Sequence, residues 1–219
     1  MAKPTRYTQE MLESYMANGY WDLTTTSDLW NQCGTVYPDE EALVDSNNRL
    51  TWAQVKLHSD RFALWLLELG YSKDEALVMQ LPNCVESFIV RLGCEKAGVL
   101  CITPMITLRH SEIESILSFV GALGVVIPWQ FRNFDFFDMI TWVRPGLPTL
   151  KHLFVIGAKV PPGARSIKEM LQRPIEEEYP IDQLEKTRFN AQEFAIVGNT
   201  SGTSGIPKCA ERPIQAQIH

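Results

Sequence analysis

Between residues 76 and 156 the chain repeats one arrangement, a short run of wholly apolar residues followed by a helical period. The runs are ALVMQL (76–81), VLCIT (99–103), LGVVI (123–127) and HLFVI (152–156). A strand that is apolar at nearly every position has no face to offer water, so both of its faces must be covered. Between the runs, apolar residues recur three and four apart. Asn83 and Glu86 are read as capping a helix that ends at Gly98, and Thr107 opens another through Ile113, Ile116, Leu117 and Val120. A further helix is expected near 136–143. Strands of this kind joined by helices predict an α/β fold, a parallel-rich sheet layered with helices.

The flanking segments are read in the same way. Residues 7–18 and 27–35 predict two short helices, and ALVDSNNRLT predicts a hairpin turning at Ser46, Asn47 and Asn48. Thr51 and Gln54 have the spacing of a capping box, and Val55, Phe62, Ala63, Leu66 and Leu67 form one face of a long helix stopped by Gly70. Residues 157–192 are more polar and carry the acidic run Glu176, Glu177 and Glu178, which reads as a solvated connector. EFAIVG (193–198) reads as one more strand. The chain thus divides into N-terminal helices and hairpin (1–50), an alternating core (51–156), a connector (157–192), and a strand with its following loop (193–208). Trp52, Trp65 and Trp142 are assigned to packing, and Arg109 and His110 to a helix start at the surface.

Composition excludes several functions. A formal charge of -6 gives no electrostatic reason to expect nucleic acid or an anionic membrane as a partner. No run of about 20 apolar residues is present to span a bilayer, and the start MAKPTRYTQE has no apolar signal core. Cys33, Cys84, Cys94, Cys101 and Cys209 are odd in number and form no CxxC pair, while His58, His110, His152 and His219 are scattered. That pattern supports neither a disulfide framework nor a metal site and fits a reducing, cytoplasmic setting.

One segment is too polar and too flexible for a core. GNTSGTSGIPK (198–208) leaves the last predicted strand, at the kind of strand exit where open α/β sheets place ligands. Gly202 and Gly205 let main-chain N–H groups approach a ligand closely. Thr200, Ser201, Thr203 and Ser204 add hydroxyl donors, and Lys208 follows a proline that fixes the backbone. This is a set of donors without a carboxylate, which suits phosphate oxygens. A lysine at 4 Å gains about 4 kcal/mol per unit of phosphate charge at an effective dielectric of 20, before desolvation. The segment is not a Walker A loop, because Ile206 and Pro207 separate Gly205 from the lysine and no hydroxyl residue follows it. No base neighbours Ser201 or Ser204 in sequence, so neither reads as a nucleophile, and no catalytic side chain is assigned.

TSGTSGIPK resembles the phosphate-loop signature of the adenylate-forming, AMP-binding enzymes, a superfamily that includes acyl- and aryl-CoA ligases. YPDEEALVD with RLTWAQV, and PNCVESFIVRLGCEKAGVLCITP, are similar to the family's N-terminal hairpin and to its next helix and strand. The resemblance runs from about residue 20 to 212. GYW (19–21), LPN (81–83), TLRHSEI (107–113) and PKCAER (207–212) look most like the aryl-acid branch, which includes 2,3-dihydroxybenzoate-AMP ligases.

The resemblance implies a single AMP-binding unit over residues 1–219 and a two-step reaction. A carboxylic acid attacks the α-phosphate of ATP, pyrophosphate leaves, and the acyl adenylate passes to a thiol of CoA or a carrier protein. Thr200, Ser201, Gly202, Thr203, Ser204, Gly205 and Lys208 would enclose the β- and γ-phosphates. Family members run to more than twice this length, and their ribose-binding and Mg-binding residues and adenylation lysine lie downstream of the loop. The chain is therefore expected to be a truncated N-terminal part, inactive alone, with its magnesium ligands elsewhere and a sheet edge open for pairing. Two alternatives are a non-catalytic remnant that binds a partner and a freestanding nucleotide-binding module.

Overall fold

A computed structural model describes residues 7–157, 159–199 and 209–218. Two helices come first, α1 (Gln9–Ala17) and α2 (Thr26–Val36), then the antiparallel hairpin β1 (Glu41–Val44) and β2 (Arg49–Thr51). The long helix α3 (Trp52–Glu68) follows, with Thr51 Oγ1 accepting from Gln54 N and Gln54 Oε1 accepting from Thr51 N. The predicted capping box is therefore formed.

The alternating core then builds the sheet. It runs β3 (Ala76–Met79), α4 (Val85–Ala97), β4 (Leu100–Thr103), α5 (His110–Val120), β5 (Gly124–Pro128), a small hairpin β6 (Gln130–Phe131) and β7 (Phe134–Asp135), α6 (Phe136–Val143) and β8 (His152–Ile156). The connector holds β9 (Arg165–Ser166), α7 (Ile167–Gln172), two 3-10 turns and α8 (Leu184–Thr187). The last described elements are β10 (Phe194–Asn199), β11 (Cys209–Pro213) and α9 (Gln215–Ile218). Among the described residues the main sheet has seven strands in the order β11-β10-β4-β3-β5-β8-β9, parallel throughout except for β11.

The two faces of the sheet are read directly from strand alternation. Leu77, Met79, Cys101, Val126 and Phe154 point into a core closed by α3, α4 and α7, with Phe62, Leu66, Ile89 and Met170. Their neighbours Ala76, Val78, Ile102, Val125, Ile127 and Val155 point into the opposite core, closed by α5 and α6 through Ile113, Ile116, Leu117, Phe136 and Ile140. Close approach of α3 and α4 requires Gly93, where a Cβ would stand 2.7 Å from Phe62 Cδ1.

Four expectations need correction. Helix α4 begins at Val85, with Cys84 at the N-cap position and no side-chain cap from Asn83; Asp45, in the turn of the β1–β2 hairpin, accepts from Val85 N instead. Helix α5 begins at His110, three residues after Thr107, because Arg109 takes the N-cap position and Glu112 Oε2 accepts from its N–H. The connector is not merely solvated: Ile167, Met170, Leu171, Ile175 and Leu184 are buried, and Glu176 pairs with Arg61 at 2.6 Å. Nor is β10 an open edge. β11 pairs along it from Phe194↔Pro213 to Asn199↔Cys209, and Ile214 packs fully buried against Phe189, Ala195 and Ile196.

Candidate functional site

The strand order places a topological switch at β3: the chain passes from β3 to β4 on one side, then returns to place β5 on the other. In open parallel sheets a crevice opens at the carboxyl ends of strands around such a switch. Here it is a groove of about 1040 Å³. Its floor is made by strand exits, at Met79 and Leu81, Thr103 and Pro104, Pro128, and Ile156 with Gly157. One wall is the hairpin turn Asp45–Asn48 with the start of α4 at Asn83, Cys84 and Glu86; the other is Met105–Thr107 with Gln130–Arg132.

Each wall is fixed by polar contacts. Asp45 Oδ1 accepts from Asn47 N and Asn48 N, both at 2.8 Å, and Oδ2 accepts from Val85 N at 3.0 Å. Burial pushes the Asp45 carboxyl up, but the donors at Val85, Asn47 and Asn48 prevail and hold it below the usual aspartate value. One free N–H at the start of α4, that of Val85, is thereby satisfied by protein. Beside it, burial first and then the Glu86 carboxylate push the Cys84 thiol up to about 12, so it stands as an unreactive thiol.

The opposite wall hangs on Gln80 and Arg109. Gln80 is fully buried after β3, and its Nε2 donates to Met105 O and Leu108 O at 3.1 and 3.0 Å. Arg109 Nη1 donates to Ile106 O and Leu108 O, and its guanidinium lies 4.1 Å from the centre of the Phe134 ring. Arg109 thus ties the loop before α5 to the β6–β7 hairpin. His110 packs edge-on to Trp142, which is 66% exposed, so the packing expected of this tryptophan is made at the surface and not in the core.

Thr200, Ser201, Gly202, Thr203, Ser204, Gly205 and Lys208 lie outside the described residues. Their anchors are described: Asn199 ends β10 and pairs with Cys209 of β11, while Gly198 pairs with Thr103 on the groove floor. Among the described residues no cluster of three or more His, Cys, Asp or Glu could hold a metal ion, and no helix is long and apolar enough to cross a membrane. Sequence reading missed Asp45, Gln80 and the β6–β7 hairpin. A signal existed for two of them, in the Asx-turn residues D-S-N-N and in the two-residue spacing between Phe131 and Phe134.

Comparison with known proteins bears on the same region. The family model described as AMP-binding enzyme matches residues 30–218. The chain is 27% identical over 208 residues to 2,3-dihydroxybenzoate-AMP ligase of Bacillus subtilis (strain 168), covering 95% of this chain and 36% of that protein. It is 26% identical over 201 residues to 2-hydroxy-7-methoxy-5-methyl-1-naphthoate–CoA ligase of Streptomyces carzinostaticus, covering 90% and 36%. Among solved structures, the apo form of MbtA from Mycobacterium smegmatis superposes with a TM-score of 0.82 at 22% identity, over 98% of this chain and 38% of that one. Anthranilate CoA ligase AuaEII in complex with anthranoyl-AMP gives 0.77 at 22% identity, over 88% and 35%. The chain spans about a third of the length of the relatives it matches.

Proposed function

The chain belongs to the AMP-binding enzyme family, and from that premise we propose that it supplies the triphosphate-holding part of an ATP-dependent aryl- or acyl-acid ligase. The observation that carries this reading is the donor set TSGTSGIPK, which follows a strand whose Gly198 borders Thr103 on the groove floor. In the proposed reaction a substrate carboxylate attacks the α-phosphorus of ATP, and the bond to the departing pyrophosphate breaks. Backbone N–H groups at Gly202 and Gly205, the hydroxyls of Thr200, Ser201, Thr203 and Ser204, and the ammonium of Lys208 hold the β- and γ-phosphates as that charge develops. This is positioning and electrostatic stabilisation, with no covalent intermediate on the protein.

The aryl-acid branch is the favoured substrate class, supported by the GYW, LPN and TLRHSEI segments, and the adenylate is then transferred to a thiol of CoA or a carrier protein. The groove carboxylates do not suit a magnesium ion: both oxygens of Asp45 are engaged by N–H donors, leaving Glu86 alone. No step is assigned to a metal held by this chain.

The test is ATP and tripolyphosphate titration of the 219-residue protein beside Lys208→Ala. The variant should bind both at least about tenfold more weakly, the equivalent of about 1.4 kcal/mol. Equal affinity would remove Lys208 from the site.

A further inference from the structure

Helix α2 turns its apolar residues outward. Its packed face is Ser27, Asn31 and Gly34, spaced four and three apart, and these hold it down by polar contact and close approach. Ser27 N donates to Glu95 Oε1 at 2.7 Å, Asn31 Oδ1 accepts from Lys96 Nζ at 2.8 Å, and a Cβ on Gly34 would stand 3.1 Å from Lys56 Cβ of α3. Leu29, Cys33 and Val36 repeat the same spacing two residues further on, which places them together on the opposite side of the helix. Leu29 is 38% and Val36 54% exposed, and Cys33 is a partly exposed free thiol. A surface helix ordinarily directs its apolar stripe at the core, so this ridge marks a contact that the described fold does not make.

The apolar surface extends beyond α2. Tyr37, half exposed, follows Val36, and Trp30 at the flank of the ridge stacks on the exposed Phe88 of α4 with ring centres 5.9 Å apart. Trp30 is braced from behind by an edge-on contact with Trp52 at 5.1 Å. A continuous, rigid apolar surface of this kind is suited to binding another protein surface.

The symmetry of the ridge selects the partner. Leu29 and Val36 are equidistant from the midpoint between Gln32 and Cys33. Turning a second copy end for end therefore sets Leu29 against the partner's Val36 and brings Cys33 beside the partner's Cys33. That self-complementarity is what a two-fold interface requires, and the four-and-three spacing is the seam along which paired helices interdigitate. Charge does not oppose the pairing: the one ionised side chain of α2, Asp28, lies off the ridge and is paired with Arg188 at 2.6 Å. We infer that α2 is the contact of a two-fold homodimer in which the Leu29–Cys33–Val36 ridges of two copies pack antiparallel.

The test is sedimentation equilibrium of the 219-residue protein across the micromolar range, repeated with Leu29→Glu and Val36→Glu. The parent should dimerise, and each glutamate should weaken association at least about tenfold. The thermal midpoint of the parent should rise with protein concentration, whereas that of the variants should not. Both positions face solvent in the single chain, so the variants should keep the parent's far-ultraviolet circular dichroism; if a glutamate prevents folding, Val36→Thr, nearly equal in volume, should still weaken association. A short bismaleimide, each ring of which adds one thiol S–H, should join the parent into a covalent dimer, and Cys33→Ser should abolish that product although Cys84 and Cys209 remain. A parent that is monomeric throughout the range overturns the inference and assigns the ridge to a different chain. A dimer indifferent to both glutamates, or cross-linked as well without Cys33, overturns it by placing the association on another surface.

Discussion

Lys96 is buried in helix α4, and its Nζ donates to Asn31 Oδ1, Ser59 Oγ and Asp60 Oδ1 at 2.7–2.8 Å; Asp60 is held from its other oxygen by Lys56 at 2.8 Å. This cluster ties α2, α3 and α4 together behind the sheet. Asp60→Ala should cost about 3–5 kcal/mol in urea unfolding, since it strands a buried ammonium. A Lys96→Met, Asp60→Leu double variant should recover most of that loss. Asp45 gives a pH test. Its folded carboxyl lies below the unfolded value of about 3.9, so its contribution is complete above that value and is lost as pH falls through the lower, folded one. Asp45→Asn should flatten the acid limb of the stability–pH curve and hasten hydrogen exchange at Val85 N. Gly98 was legible as a helix stop, and it adopts φ +72°. The sequence did not disclose the second reason for glycine there: a Cβ would meet Thr187 O at 2.2 Å.

Among the elements, those whose signals lie within four residues were readable. The Thr51–Gln54 box formed as expected, and Thr51→Ala should lower stability by about 1 kcal/mol, as read from the thermal midpoint. Helix α4 was misread at its start because its cap comes from Asp45, forty residues earlier, a partner that only the docked hairpin supplies. The segment 213–218 gives the sharpest case. Gln215 is fully buried, accepts from Asp22 N and donates to Asp22 Oδ1 and Thr24 O, while Gln217 accepts from Arg91. Gln215→Ala removes these buried hydrogen bonds and should destabilise the protein by about 1–3 kcal/mol, with faster hydrogen exchange at residues 20–25 as its local signature.

At the scale of the molecule, β11 lies along β10, so the sheet does not present β10 as an exposed strand. Function divides differently: the chain spans about a third of its relatives' length, and our proposal gives it the triphosphate contacts without a complete adenylation site. Purified protein with ATP and a benzoate-type acid should therefore show no pyrophosphate exchange above a Lys208→Ala control; exchange above it would mean that this chain suffices. The sequence by itself determined the α/β alternation, most of the strands and helices, the α3 cap and the family, because periodicity, capping and a nine-residue motif are all encoded within short windows. Only the tertiary structure decided which strands adjoin, that Asp45 caps α4, and that Gln80 and Arg109 brace one groove wall. Those relations join residues as far apart in sequence as Cys101 and Ile196, and no local pattern encodes a partner chosen by how the layers pack.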